Sequence, residues 1–387
     1  MRIAVVSPHL STPVLPFRGA SHDEQLRLFA EAGHDVRAVV PLPWGRRGLA
    51  GAHIPEEERD QGVVVAHPRY PPVPRSLRVA GFPLERWLFA RAALTALAAG
   101  VAPPDVVLAH SASLPGGLLG RIGRAAFVVS LYDHELYHLA PASAIVRARI
   151  VRTLQRADCA VYLSEALRRR AIEFAGSHRT LVIPLGIATH VAPSAVPPQS
   201  FTVCTVTSLI PRKRVDHLVR AFARLAAERH DARLVIVGDG PERRALERLV
   251  CGLGIQVLVE FTGPLDARAA QERMSRANVM ALPSVRESLG AVYLEAMALG
   301  VPALGTRGEG IEEHIDHGVN GILVPPGDDD ALLAELRALA ADPDRARRIG
   351  EGGRHRFLAG RFSWHANAQA YLTLFEELSR GRATHTT

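Results

Sequence analysis

Short, almost wholly apolar runs alternate along this chain with longer stretches of mixed polarity. Ile3–Ser7, Val36–Val40, Val63–Ala66, Val106–Ala109, Phe127–Leu131, Ala160–Leu163 and Leu181–Pro184 read as strands. Strands apolar on both faces belong to parallel sheets covered by helices on either side. Helical stretches fit between them, among them about Asp23–Ala32, closed by Gly33, and Leu77–Ala99. Residues 187–200 break the rhythm with three prolines and no periodicity. A second series follows: Val203–Thr207, Leu234–Val237, Leu258–Phe261, Val279–Leu282, Ala303–Gly305 and Ile322–Val324, then helices from about Ala331 onward. The pattern predicts an α/β chain of two Rossmann-like domains. Their expected limits are 1–188 and 201–362, joined by a linker at 189–200. A last helix, 363–387, is expected to return to the first domain. Open α/β sheets bind ligands at the carboxyl ends of their strands, so both halves are expected to face one cleft.

Composition narrows this. The 387 residues are 48% hydrophobic and 22% charged, which excludes a disordered or fibrous chain. Cys159, Cys204 and Cys251 are too few and scattered for a disulfide framework or zinc site. Reduced thiols and a cytoplasmic setting are expected. The chain opens on a strand rather than a signal peptide, and no apolar run reaches the ~18 residues a membrane span needs. The net charge of +7 favours polyanionic partners. With 5% aromatic residues and no groove-reading motif, nucleic acid is not the expected one. Of 46 basic residues other than histidine, Lys213 is the single lysine. A lysine is a compact point charge and an arginine a planar fork, so the two differ at a phosphate. Segment 75–91 mixes arginines with Leu84, Trp87 and Phe89. It reads as a crossover helix or as peripheral contact with an anionic membrane.

Few motifs carry chemistry. Gly238-Asp239-Gly240-Pro241 lacks the third glycine of a dinucleotide fingerprint and reads as a strand-to-helix turn. Asp328-Asp329-Asp330 precedes an apolar helix and reads as its cap. Metal-independent chemistry is expected. The informative stretch is Pro283–Ala298. Glu287 and Glu295 flank Ser288, Leu289, Gly290 and Ala291, whose amides fall at a helix start that suits an anion. Carboxylates accept hydrogen bonds from hydroxyls. Eight helical steps cover ~12 Å, on the order of the span from the sugar to the ribose of a sugar nucleotide. The plainer reading makes Glu287 a cap and Glu295 a solvated residue.

The flanking sequence resembles the donor-site signature of glycosyltransferase family 4. The matching blocks are Leu282-Pro283-Ser284, Glu287–Gly290, Leu294–Pro302, Val237–Pro241, Phe261-Thr262-Gly263 and Gly318–Val324, with Pro211–Asp216 resembling the diphosphate segment. The resemblance implies the GT-B fold and retaining, metal-independent transfer from a nucleotide-diphosphate sugar, a UDP-sugar first, with no cofactor. It assigns Lys213 to the diphosphate, Glu287 to the transferred sugar and Glu295 to the ribose. Gly263, Pro264 and Leu265 would border the base. Ser208 stands where the family usually has an arginine, and Arg212 or Arg214 would supply that charge. The amino-terminal half is similar to the teichuronic-acid branch. Gly19 lies in the first loop, where a small residue lets the backbone approach the donor; in that branch a strand ends in a histidine beside the reacting sugar. Here that position is Tyr132, with His134 two residues on. Other expected readings are a sugar-nucleotide epimerase of the same architecture and, from charge alone, a nucleic-acid binder.

Overall fold

The structure is a computed structural model. It describes the chain except residues 9, 11–19, 48–50, 52, 74–82, 100–101, 114–122, 133, 195–199, 361 and 385–387. It divides into two compact units: Met1–Gly186 with Ser363–Thr387, and Ile187–Phe362.

Unit 1 contains strands β1 (Arg2–Val6), β2 (Asp35–Val39), β3 (Leu42–Pro43), β4 (Glu57–Asp60), β5 (Val63–Ala66) and β6 (Arg69–Tyr70). It continues with β7 (Val106–Ala109), β8 (Ala126–Leu131), β9 (Cys159–Tyr162) and β10 (Thr180–Val182). Helices α1 (Ala20–Glu31), α2 (Pro83–Ala98), α3 (Ala140–Ala142), α4 (Ala144–Arg156) and α5 (Glu165–Ala175) connect them. The main sheet runs β10-β9-β8-β7-β1-β2-β5-β4, parallel except at β4. Strand β4 was not foreseen. Its sequence, Glu-Glu-Arg-Asp, has no apolar alternation, and it pairs antiparallel at an edge, where charged residues are tolerated. The small β3–β6 ladder is also absent from the pattern reading.

Unit 2 contains β11 (Thr202–Val206), β12 (Arg233–Val237), β13 (Val259–Gly263), β14 (Val279–Ala281), β15 (Ala303–Thr306) and β16 (Ile322–Val324). These form one parallel sheet in the order β13-β12-β11-β14-β15-β16. The helices are α6 (Val215–Glu228), α7 (Arg243–Gly252), α8 (Ala267–Ser275), α9 (Ala291–Ala298), α10 (Asp329–Ala341) and α11 (Pro343–Ala359). Val215, Leu218, Val219, Phe222, Leu225 and Ala226 bury the sheet-facing stripe of α6, at the spacing of an amphipathic helix. Asp328 caps α10 by accepting the Ala331 amide at 2.8 Å, while Asp329 and Asp330 bind His217 and Arg224. The aspartate triplet therefore works as a helix start.

The last helix, α12 (Trp364–Thr384), belongs to unit 1. Its Trp364, Tyr371 and Phe375 join the core formed by Ile3, Val5 and Phe29. The expected linker needs correction at its start. Gln271 holds the Ala188 carbonyl and the His190 amide, at 2.8 and 2.7 Å, and the Ile187 amide binds the Phe362 carbonyl. These residues are part of unit 2 rather than a spacer. Helix α2 falls within the 77–99 stretch read as helical, and residues 75–82 of the basic-apolar segment lie outside the described residues.

Gly238 shows how tightly the strand ends of unit 2 approach. Its φ is +126°, and a Cβ there would lie 1.9 Å from the Thr207 carbonyl oxygen. A Gly238→Ala variant is expected to lose about 3 kcal/mol or more, lowering Tm by about 6–12 °C. Gly252→Ala, on α7 with open space around it, should stay within about 1 kcal/mol of wild type on the stabilising side. Calorimetry of the two variants checks the contrast. Equal stability would show that the close approach is absent.

Candidate functional site

The candidate residues of unit 2 gather at the carboxyl ends of its parallel strands. Beyond β11, the chain turns through Thr207-Ser208-Leu209. The Leu209 amide binds the Asp239 carbonyl at 2.9 Å, which ties this turn to the Gly238–Gly240 turn after β12. Ser208 is exposed at its tip. Gly263 ends β13, and Pro264 and Leu265 beyond it are exposed.

Residues Pro211–Lys213 form a single 3-10 turn, and the Arg212 carbonyl accepts the Val285 amide at 2.9 Å. That bond brings the turn against the loop after β14. The Lys213 ammonium donates to Glu287 Oε2, and Arg212 Nη1 donates to the same oxygen at 3.4 Å. Glu287 is 7% exposed, so this pair is largely withdrawn from water. Arg212 also reaches the Arg286 carbonyl at 3.3 Å. Arg214 turns away toward His217, at 3.1 Å. Of the two arginines weighed as substitutes at Ser208, Arg212 is the one at the site.

The spacing argument for the glutamates is corrected. Helix α9 begins only at Ala291, with Gly290 as its N-cap at φ +74°. Glu287 therefore stands in the preceding loop, and the two glutamates do not share eight helical steps. Ser288 and Leu289 are buried between the glutamate and the cap. The first-turn amides of α9 lack acceptors within the helix, which leaves a partial positive charge at this end. Tyr293 fixes the helix start from below, its hydroxyl donating to the Leu282 carbonyl at 2.5 Å and lying 2.9 Å from Ser284 Oγ. Glu295 is half-buried on the next turn of α9. Burial pushes its carboxyl above the ordinary range, with no offsetting cation among the described residues. It is not the solvated surface residue of the plainer reading.

No motif in the sequence marks Glu309. It follows β15, and its two carboxylate oxygens accept the Arg286 amide at 2.9 Å and the Glu287 amide at 2.6 Å. A side chain paired to backbone amides leaves no partner to find in the sequence.

In unit 1, Tyr132 follows β8 and His134 stands exposed at the start of a π-helical turn, Glu135–Leu139. Burial pushes the Tyr132 phenol up, reinforced by Tyr371. The His22 ring lies 5.4 Å from Tyr132 and 4.3 Å from His110. Buried Glu135 accepts from Ser111 Oγ at 2.7 Å, the Ala112 amide at 3.1 Å and the Ser113 amide at 2.6 Å. It links the loops after β7 and β8, a role the sequence reading did not assign. Gly19 lies outside the described residues.

Two Rossmann-like units with polar clusters at their strand ends define an α/β protein of the kind that takes ligands there. Residues 187–356 match the family of glycosyl transferases group 1, and residues 21–186 match the glycosyl transferase 4-like domain. The GDP-mannose-dependent alpha-(1-6)-phosphatidylinositol monomannoside mannosyltransferase of Mycolicibacterium smegmatis is 33% identical over 264 residues, 63% of this chain and 68% of that protein. The N-acetyl-alpha-D-glucosaminyl L-malate synthase of Bacillus anthracis is 43% identical over 142 residues, 37% of this chain and 36% of that protein. The chain belongs to the group 1 glycosyltransferases. Sucrose-phosphate synthase from Thermosynechococcus elongatus has a similar structure, with a TM-score of 0.80 at 21% identity over 98% of this chain and 100% of that one. Anabaena HepE in complex with UDP gives 0.74 at 20%, over 97% and 100%. The fold is GT-B, as the resemblance implied.

The raised carboxyl of Glu295 has a stability consequence. A carboxylic acid whose folded pKa exceeds its unfolded value binds its proton more tightly when folded. It therefore favours folding at low pH and opposes folding once ionised. At pH 7.5, without ligand, Glu295→Gln is expected to melt at or above the wild-type temperature. That margin should shrink as pH falls toward 4.5 and wild-type Glu295 gains its proton. A variant less stable at pH 7.5, with no pH dependence of the difference, would contradict a carboxyl that burial disfavours when ionised.

Proposed function

We propose that the protein is a retaining, metal-independent glycosyltransferase that moves a sugar from a nucleotide-diphosphate donor to an acceptor hydroxyl. The observation that carries this is the cluster before α9. Two cations, Lys213 and Arg212, and the α9 amino terminus supply positive charge, while Glu287 and half-buried Glu295 supply acceptors on either side. In this reading Lys213 and the amides near Leu289 and Gly290 neutralise the departing diphosphate. Glu287 takes hydroxyls of the transferred sugar and Glu295 those of the ribose. The anomeric carbon–phosphate oxygen bond breaks, and its electron pair leaves with the diphosphate. The acceptor oxygen bonds to the same face, and its proton passes to the departing phosphate. The alpha linkages in the relatives' names support retention from an alpha-linked donor.

A UDP-sugar is our expected donor, and UDP occupies the related Anabaena structure. GDP-mannose is the alternative that the mycobacterial relative's name favours. Ser208, Gly263, Pro264 and Leu265 are read as the ribose–base rim. Gly19 is read as a donor contact, and Tyr132 and His134 as lining the reacting sugar from the amino-terminal unit, in the manner of the teichuronic-acid branch. The acceptor is read as a glycan, a lipid-linked molecule or a natural product. Helix α2 buries Phe89, Ala93 and Leu97 and displays Leu84 and Trp87, with Arg91 over the Trp87 ring at 5.3 Å. That face suits peripheral contact with an anionic membrane. Among the described residues no helix is long and apolar enough to cross a membrane, and a cytoplasmic setting is our expectation.

A thermal-shift panel of UDP, GDP, ADP, UDP-glucose, UDP-N-acetylglucosamine, GDP-mannose and ADP-glucose tests the reading. A ligand at about 100 times its Kd stabilises by about 2.7 kcal/mol, a Tm rise of about 5–10 °C. EDTA should leave the shift and the turnover nearly unchanged. Lys213→Ala and Glu295→Ala should each weaken the nucleoside diphosphate by about 10-fold or more. Glu287→Ala should keep that affinity and lose turnover by about 10²-fold. Loss of turnover in EDTA with rescue by magnesium, or equal loss of diphosphate affinity in Glu287→Ala and Glu295→Ala, would overturn these assignments.

A further inference from the structure

The loop that carries Glu287 is held in a conformation it would not adopt alone. Arg286 has φ +58°, in the left-handed region that side chains other than glycine rarely occupy. Its amide and the next one both point at a single carboxylate. Glu309 Oε1 accepts from Arg286 at 2.9 Å and Oε2 from Glu287 at 2.6 Å. The neighbouring Gly310 amide donates to the Glu287 carbonyl at 3.1 Å. A Cβ on Gly310 would lie 1.9 Å from the Ser288 carbonyl oxygen, so the two backbones touch here. The stretch after β15 thus grips Arg286, Glu287 and Ser288 in succession.

We propose that Glu309 is a positioning residue: its carboxylate clamps the Arg286 and Glu287 amides and so aims the Glu287 carboxylate at the donor sugar. This rests on the reading of Glu287 as the acceptor of sugar hydroxyls. Each of the two adjacent N–H donors has its own acceptor oxygen here, an arrangement that suits a carboxylate. A glutamine presents one oxygen and one NH₂ group, so one amide would face another donor. An aspartate keeps both oxygens but falls one methylene short. Misplacement by about 1 Å costs on the order of 10²-fold in rate.

The clamp is pH-sensitive in a defined direction. Burial holds the Glu309 carboxyl above the ordinary range, and the Glu287 charge adds to this. The two amides and Arg212 act in the opposite sense. Tyr293 of α9 and Glu312, whose carboxylate accepts the Gly308 amide at 2.7 Å, complete its polar surroundings. On acidification Glu309 is protonated before an ordinary surface carboxylate, and one of the two amides then loses its acceptor.

The test compares Glu309→Gln, Glu309→Asp, Glu287→Ala and the double variant Glu287→Ala/Glu309→Gln. Turnover is read as nucleoside diphosphate released from the donor that the thermal panel selects. Glu309→Gln is expected to lower kcat by about 10–100-fold while nucleoside diphosphate affinity and Tm stay near wild type. Its acidic limb should move to lower pH, because the group that titrates there is gone. Glu309→Asp should recover part of the rate. In the Glu287→Ala background, Glu309→Gln should change turnover by less than about 2-fold, because it acts through Glu287. Wild-type kcat in Glu309→Gln overturns the proposal. So does a multiplicative loss in the double variant, or a parallel fall of Tm and diphosphate affinity. Full turnover in Glu287→Ala alone is a separate failure, of the reading of Glu287 itself.

Discussion

The Glu287 carboxylate, withdrawn from water, accepts from Lys213 and Arg212, which lie 74 and 75 positions earlier in the chain. Removing charged groups from water is expensive, and their attraction offsets that cost only when geometry is good and further hydrogen bonds are made. Much of unit 2 serves that condition. The turn after β11 brings the cations to the loop after β14, through the Arg212–Val285 backbone bond. The stretch after β15 fixes the carboxylate's own backbone. Tyr293 anchors the start of α9 behind it. Parallel strands place all three connections at one end of the sheet, so residues remote in sequence meet without any long excursion of the chain.

Much of this was legible before the fold was seen. Strands of unit 2 such as Leu234–Val237 and Ile322–Val324 are apolar throughout, because helices cover both faces, and that burial is written in composition. Asp328 was legible because a cap is a local contact, three residues from its partner amide. The lone lysine pointed to Lys213 on grounds of charge type, and Lys213 does lie at the strand ends against Glu287. Where the partner was backbone, the sequence was silent. Glu309 meets two amides 22 and 23 residues away, and Glu135 meets amides and a hydroxyl 22 to 24 residues away. An amide is present at every residue except proline, so no residue type marks these contacts. The start of α9 was misjudged for a related reason. Gly290 takes a left-handed conformation and delays the helix, which the side-chain pattern does not record.

The two glutamates occupy different electrostatic settings. Glu287 has two cations at its oxygen. At Glu295 burial is what shifts the carboxyl, with no compensating cation among the described residues, so folding thins the water around it. An ionised group kept in that condition opposes folding and favours whatever brings hydroxyl donors to it. Stability given up at a half-buried carboxylate is the counterpart of affinity for a polyhydroxylated ligand.

The return of α12 to unit 1 bears on how the protein is made. Unit 2 is contained within unit 1 as an insertion, since the chain enters it after Gly186 and leaves it before Ser363. The core around Phe29 lacks Tyr371 and Phe375 until the carboxy-terminal helix has been translated. On the ribosome, unit 2 has its whole sequence before unit 1 does. The amino-terminal sheet, though synthesised first, waits with an incomplete hydrophobic face while its insert folds. A nascent chain of this design is most exposed to aggregation or chaperone capture along that uncovered face, late in synthesis.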